Sequence, residues 1–408
     1  MIGVIADDLT GAAELGAVGL RHGLRAEIML NGPDGLDGQA DLICVNTDSR
    51  SCPPLEAGQR AADAAEWLRR AGAKWIYKKV DSVLRGQVTA EVESVMKQLS
   101  LPRAFLVPAN PSLGRTIRGG QYFVRGRPIH RTEFARDPEH PRKSPRVLEL
   151  LQNPGTLPIC VTGINQAPPE AGIMVGEAAT PEDVKQWAAR KDARTLSAGG
   201  AEFFGALLAA EAAQPPQPPQ PQAVQAMQAG ALGARAAEAA MSDRQLFICG
   251  TASRAGKKFV KDAHKCGTPI FSLPLELGWR AEFTPGAVEA ISQRIVAAFE
   301  PHRRVILTVG LPTVRDSAIA RRLSNHLVQI AVLVLRRAPA GHVFADGGAT
   351  SAELVRRMGW TRLTTLREAA PGVATLAVEG NPSLLLTIKP GSYAWPAEWT
   401  RNGSTDKF

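Results

Sequence analysis

Short apolar runs alternate with amphipathic stretches along most of this chain, the pattern of parallel strands covered by helices. In the first half, Ile2–Ala6, Ala26–Leu30, Leu42–Asn46, Lys74–Lys78 and Ala104–Val107 read as strands, with helices over 11–22, 55–71 and 87–99. In the second half, strands are predicted at 246–249, 269–272, 304–309, 342–345, 373–378 and 384–388, and helices at 254–265, 285–299, 315–329 and 350–358. Between the halves, Gln214–Gln222 alternates glutamine with proline, a polyproline-type spacer that joins neither a helix nor a sheet ladder. The Ala-rich stretch Ala223–Met241 is then either a helix or more linker. The expectation is an α/β protein of two domains with mainly parallel sheets, 1–213 and 243–408, joined by a linker over 214–242. The active site is expected in the cleft between them.

Composition narrows the class. With 408 residues and 44% hydrophobic content, the chain is too long for one simple core and too apolar for disorder. Its 38 glycines, 30 prolines and 5% aromatics suit a loop-rich α/β enzyme better than an all-β binding module. Cys44, Cys52, Cys160, Cys249 and Cys266 are scattered and form no C-x-x-C pair, against both a disulfide framework and a cysteine-built zinc site. The histidines lack metalloprotease spacing.

A net charge of +9 is compatible with acidic partners, but no Lys/Arg block or aromatic–basic interleaving points to nucleic acid. The uncharged apolar run Leu327–Leu335 is about half of what a bilayer span needs, so no membrane partner is expected. Met1 runs straight into an apolar strand and two acids, without a signal peptide's basic region or cleavage site. A cytoplasmic setting is the expectation, and a homodimer the prior with no motif behind it.

Three loops in the first half are richer in charge than a connection requires. Asp7-Asp8-Leu9-Thr10-Gly11 ends the first strand and opens a helix. Asp8 or Thr10 can simply cap that helix. A cap uses one carboxylate, so the surplus acid is free to bind a sugar hydroxyl, accept its proton or hold a metal. A phosphohydrolase would place its second acid two positions after the nucleophile, and Leu9 or Thr10 stands there instead.

Lys78-Lys79-Val80-Asp81-Ser82-Val83-Leu84-Arg85-Gly86 follows another strand. Arg85 there can grip a carboxylate while Asp81 and Ser82 bond hydroxyls, or the loop can be ordinary surface closed by an internal Asp81–Arg85 ion pair. The third loop, Pro108 to Gly120, carries Arg115 and Thr116 within reach of a bound anion.

The second half offers glycine turns. Asp346-Gly347-Gly348-Ala349-Thr350-Ser351 leaves a strand and enters a helix, where backbone amides and the helix dipole favour phosphate. Gly250-Thr251-Ala252-Ser253 and Lys389-Pro390-Gly391-Ser392 are similar turns. None is a P-loop, and G-x-G-x-x-G occurs nowhere, which argues against a Rossmann dehydrogenase.

Taken together, Ala6-Asp7-Asp8-Leu9-Thr10-Gly11-Ala12, Lys79-Val80-Asp81-Ser82 with Leu84-Arg85-Gly86, Pro108-Ala109 with Pro111 and Gly114-Arg115-Thr116, and Gly347-Gly348 with Thr350 resemble the four-carbon acid sugar kinase family. The tail from Pro371 to Ser392 is similar to that family's end as well. The resemblance implies an ATP-dependent kinase that phosphorylates the terminal hydroxyl of threonate, erythronate or an oxo-tetronate. It places the sugar acid in the N-terminal domain, lined by Asp8, Lys79, Asp81, Ser82, Arg85 and Arg115, with Gly86 and Thr116 beside them. ATP falls in the C-terminal domain, at Ser253, Gly347, Gly348, Ala349, Thr350 and Gly391.

Asp8 or Asp7 would accept the hydroxyl proton, and Mg2+ would arrive with ATP rather than on a metal site of the protein alone. The chain departs from the family at Val83, where a Thr is usual, and at Gly250-Thr251-Ala252-Ser253, where Gly-Ser-x-Ser is frequent. Two other readings are a phosphohydrolase using the Asp7-Asp8 loop and a non-catalytic sugar-acid-binding protein.

Overall fold

The structure, a computed structural model, describes residues 1–30, 39–137, 139–151, 155–213, 243–251, 253–273, 285–310 and 316–400. It divides into two compact units, Met1–Pro216 and Gln217–Phe408. The expected linker over 214–242 and its Ala-rich stretch lie outside the described residues.

In the first unit the chain runs β1 (Ile2–Ala6), α1 (Leu9–Arg21), β2 (Ala26–Met29), β3 (Leu42–Asn46), α2 (Pro54–Arg70), β4 (Ile76–Lys79), α3 (Val88–Gln98) and β5 (Arg103–Val107). A small antiparallel sheet follows, of β6 (Arg115–Arg118), β7 (Gln121–Val124) and β8 (Arg127–Pro128), then α4 (Val147–Leu150). The unit closes with β9 (Ile159–Thr162), β10 (Gly172–Gly176), α5 (Pro181–Ala189), β11 (Thr195–Gly199) and α6 (Ala201–Ala212). Its main sheet is parallel throughout, in the order β2-β3-β1-β4-β11-β5-β10-β9.

A parallel strand covered on both faces reads as a continuous apolar run, and every residue of β1 and β3 is buried. β4 is also buried throughout, although it ends in Lys78 and Lys79. It starts and ends later than its apolar pattern predicts, and both lysines are held inside by carboxylates, Lys78 by the buried Glu91 and Lys79 by the half-buried Glu14. The order β3-β1-β4 puts three neighbouring carboxyl ends side by side, the usual place for a ligand in an open α/β sheet.

The second unit contains β12 (Gln245–Cys249), α7 (Arg254–Lys265), β13 (Ile270–Ser272), α8 (Pro285–Ala298), β14 (Arg304–Thr308), α9 (Ser317–Arg337), β15 (His342–Asp346) and α10 (Gly348–Met358). The chain then forms β16 (Arg362–Ala370), β17 (Val373–Val378) and β18 (Asn381–Lys389). Strands β13-β14-β12-β15-β18 are parallel neighbours, β17 adds antiparallel to β18, and β16 adds antiparallel to β17. Phe247, Phe259, Phe344, Trp395 and Trp399 form the aromatic part of this core.

Helix α9 is long and apolar enough to cross a membrane by length and composition. Here it packs on α8, α10, β12 and β14, burying Leu327, Val328, Ile330, Ala331 and Val334, which makes it a core helix. It runs further than the predicted 315–329, because the apolar run after Leu327 continues the helix.

Candidate active site

The first unit's cluster is built at the ends of β1, β3 and β4. Asp8 caps α1, accepting from the Gly11 amide at 2.8 Å and from Thr10 Oγ1 at 2.6 Å. The capping reading of Asp8 is therefore correct as far as it goes. Asp7 faces the loop after β3, whose Ser49 and Arg50 amides donate to its carbonyl. From that loop Arg50 sends Nε and Nη2 to the two Asp7 carboxylate oxygens, at 2.7 and 2.9 Å, and Nη1 to Asp8 Oδ2 at 2.7 Å. Its Nη2 also stands 4.0 Å from Asp81 Oδ1.

Burial works to raise the Asp7 carboxyl, but Arg50, with Lys78 and Lys79 behind it, outweighs burial and holds it below the usual carboxylate range. Burial likewise opposes the Arg50 charge, and Asp7, Asp8 and Asp81 drive its pKa well above the ordinary value.

The loop after β4 folds around Asp81. Its Oδ2 accepts from the Val83 amide, the Arg85 amide and Arg85 Nε, and its Oδ1 from Arg85 Nη2 at 2.9 Å. Against burial, Arg85 and Arg50 keep this carboxyl well below its normal pKa. Arg85 Nη1 also reaches Asp137 at 3.1 Å, so its guanidinium is shared between two carboxylates of the protein. The internal Asp81–Arg85 pair weighed from sequence is present.

Gly86 takes φ +84, and a Cβ there would stand 3.1 Å from Arg50 Cγ and 3.4 Å from its backbone. A glycine is required for this loop to pass so close to Arg50.

The excursion between β5 and β9 ties the same loop down. Arg115 Nη1 donates to Ser82 Oγ and its guanidinium lies over the Phe134 ring, while Tyr122 OH donates to the Ser82 carbonyl. Arg142, almost wholly buried, donates to the carbonyls of Leu84 at 2.7 Å and His140 at 2.9 Å. Leu84 itself sits at φ +62, a left-handed backbone held by these contacts. Thr116 follows Arg115 on β6, half-buried and opposite Phe123.

Beneath the cluster the two lysines of β4 are buried with acids. Lys78 Nζ lies 3.1 Å from Glu91 Oε2, and Glu91 accepts from Ser49 Oγ on its other oxygen. Burial raises the Glu91 carboxyl, with Lys78 opposing and Asp7 adding to the rise. Lys79 Nζ is 3.4 Å from Glu14 Oε2.

The structure thus joins Asp7, Asp8, Asp81, Ser82, Arg85, Gly86 and Arg115 in one network, with Lys79 at its base. The sequence reading missed Arg50, which binds the three acids together. The polar triplet Asp48-Ser49-Arg50 just past a predicted strand end was the available signal.

In the second unit the glycine turns converge. Cys249, Asp346 and Lys389, the last residues of β12, β15 and β18, stand in register. Gly347 has φ +100, open only to glycine without strain. A Cβ on Gly391 would meet Thr251 Oγ1 at 2.8 Å, and one on Gly250 would strike Thr350 Oγ1 at 1.9 Å. Ser253 caps α7 by accepting from the Gly256 amide, whereas α10, opening at Gly348, has no side-chain cap. The amides of Gly348, Ala349 and Thr350 therefore open the helix with no side-chain cap among the described residues, an arrangement suited to phosphate oxygens.

Below these turns Lys389 Nζ donates to Asp346 Oδ1, and both side chains are completely buried. Both residues open turns picked out from the sequence, but neither is assigned a role there, because each reads as the polar end of an apolar strand. Among the described residues no group of three or more His, Cys, Asp or Glu side chains is arranged to hold a metal ion.

Comparison with known proteins agrees with this division. The model of a sugar-binding N-terminal domain matches residues 2–207, and that of a nucleotide-binding C-terminal domain matches residues 246–393. A D-threonate kinase of Salmonella typhimurium is 36% identical over 157 residues, 38% of this chain and 37% of the relative. A D-erythronate kinase of Heliobacterium modesticaldum is 33% identical over 200 residues, 44% of this chain and 46% of the relative. The matched stretches span less than half of either relative's length. The fold is shared with a Salmonella typhimurium protein described as a putative tRNA synthase, at TM-score 0.75 and 18% identity over 96% of both chains. On the strength of the two domain matches, the chain belongs to the four-carbon acid sugar kinase family.

Proposed function

We propose that this protein is an ATP-dependent kinase that phosphorylates the terminal hydroxyl of a four-carbon sugar acid: threonate, erythronate or an oxo-tetronate. The observation that carries the reading is chemical asymmetry between the two units. One gathers Asp7, Asp8, Arg50, Asp81, Arg85 and Arg115 at neighbouring strand ends, a set suited to a hydroxylated acid. The other presents an uncapped helix start lined by glycines, suited to a phosphate chain. The names of the relatives supply the substrate class.

Phosphoryl transfer asks for in-line placement and charge neutralisation more than for covalent help. Asp8 is the better candidate for the proton acceptor. Its side chain is 12% exposed against 2% for Asp7, and Arg50 takes one Asp8 oxygen, shared with Thr10, against both oxygens of Asp7. That engagement also leaves Asp7 poorly placed as a phosphohydrolase nucleophile. Arg50 orients both acids, Ser82 and Arg115 face the sugar acid with Lys79 and Thr116 nearby, and Asp81, Arg85 and Gly86 shape the loop that presents them. Gly347, Gly348, Ala349, Thr350, Gly391 and Ser253 would hold ATP. Mg2+, chelated by the phosphates of ATP, would neutralise the transferring group.

A coupled ADP-release assay with MgATP against tetronates, oxo-tetronates and control pentonates tests this. ADP formed with one four-carbon acid and not with the pentonates is the expected result. Sugar-acid binding without turnover would instead favour a binding protein, and phosphate release from a phosphorylated acid without ATP would favour a hydrolase.

A further inference from the structure

Beneath the glycine turns of the second unit lies a buried ion pair that the proposed chemistry does not use. Lys389 and Asp346 are both 0% exposed, and each immediately precedes a turn of the cradle, Pro390-Gly391 and Gly347-Gly348. The pair is not balanced in space. Lys389 Nζ lies 3.4 Å from the Pro390 carbonyl, on the side of the Gly391 turn, and 5.0 Å from the Trp395 ring centre. Asp346 Oδ2 has no hydrogen-bond partner among the described residues. It points under the first turn of α7, where a Cβ on Gly256 would stand 3.2 Å from it, a place where the helix dipole favours negative charge.

We propose that this pair sets the electrostatic potential of the phosphate cradle: Lys389 is the buried cation that favours a bound nucleotide phosphate, and Asp346 holds it in place. Burial makes such a charge effective, because a low-dielectric surrounding screens it poorly. Lys389 thereby acts as a positioning and field-setting residue without touching the ligand. The inference rests on the reading that this unit takes a nucleotide.

The sign of the effect separates this role from packing. Replacing Lys389 removes the positive charge beneath the phosphates, and the buried Asp346 carboxyl, without its cation, takes up a proton, whereas replacing Asp346 removes a negative charge and leaves the cation in place. Calorimetric titration of MgADP into the full chain should show Lys389→Met binding at least tenfold more weakly than wild type. Asp346→Asn should bind at least as tightly as wild type, and the double variant should bind about as weakly as Lys389→Met, because neither keeps a charge at this place. Sugar-acid affinity, read in the same samples, should stay unchanged.

A tenfold loss in Asp346→Asn, or a double variant that binds as tightly as wild type, overturns the inference and reduces the pair to packing. If Lys389→Met does not fold, the sign of the Asp346→Asn change decides alone. Failure of wild type to bind MgADP would instead sink the nucleotide reading, and the inference with it.

Discussion

Arg50 holds both carboxylate oxygens of Asp7, at 2.7 and 2.9 Å, and spends its remaining nitrogen on Asp8. One guanidinium from the loop after β3 thus bridges the two acids at the end of β1. Bidentate geometry needs the planar fork, which an ammonium cannot reproduce. Breaking a buried pair by removing one partner commonly costs about 3–5 kcal/mol. Arg50→Met should therefore lower the first unit's stability by that order in urea unfolding. Arg50→Lys should restore part of the stability but not sugar-acid affinity, because one ammonium cannot span the acids. A fully active, fully stable Arg50→Met would refute this account of the cluster.

The two acids of β1 should separate kinetically. Positioned general bases contribute typically 10²–10⁴-fold, so Asp8→Asn should lose on the order of 10² or more in kcat with little change in sugar-acid KM. Asp7→Asn should lower stability and raise KM, since it loosens Arg50. Steady-state kinetics on the substrate found in the ADP-release panel measure both. If Asp7→Asn loses kcat alone and Asp8→Asn does not, the proton acceptor is Asp7.

Much of this site was legible in the sequence because strand ends are legible. Asp7 and Asp8 stand just past a continuous apolar run, Asp81 and Arg85 in the loop after the next strand in the sheet, and the sheet order places those ends together. Less could be read where local pattern is silent. β11 is Thr-Leu-Ser-Ala-Gly and α6 is apolar nearly all round, so neither carries a clear period, and both were missed. The tethers Tyr122, Asp137 and Arg142 come from an excursion whose fold depends on contacts with residues 82–85, some 40–60 positions away. Arg85 illustrates the remaining limit. Its charge and position suggest a ligand anion, and the structure gives it two carboxylates of its own chain.

Gly86 should tolerate no side chain. Its φ of +84 is strained for any L-residue by roughly 1–2 kcal/mol, and a Cβ would press on Arg50 at 3.1 Å. Gly86→Ala should lower the melting temperature and raise the sugar-acid KM, because relief requires moving Arg50 off Asp7. MgADP affinity, determined by the other unit, should not change. A variant with wild-type KM would mean that Arg50 does not contribute to sugar-acid binding.

The second unit's stability should depend on pH through two buried groups of opposite sign. His342, stacked on Phe344 and bonded to Thr387 Oγ1 at 2.7 Å, is pushed down to about 3 by burial, with Arg367 and Arg304 adding to the effect. Unfolded, it takes a proton near pH 6.5, so its contribution is present above that pH and lost as pH falls. Asp346 runs the other way. Burial raises it to about 6 despite Lys389, so its contribution is present below its unfolded pKa, near 3.8, and lost as pH rises through about 6.

Between about pH 4 and 6 the two largely offset each other in wild type. Each proton difference is worth about 1.4 kcal/mol per pH unit. Relative to wild type, His342→Gln should therefore gain stability at about that slope as pH falls below 6.5, and Asp346→Asn should lose it as pH falls below 6. Urea unfolding at half-unit steps from pH 4.5 to 7 measures both differences. Curves that stay parallel to wild type would show that neither group carries its charge state into the fold as described.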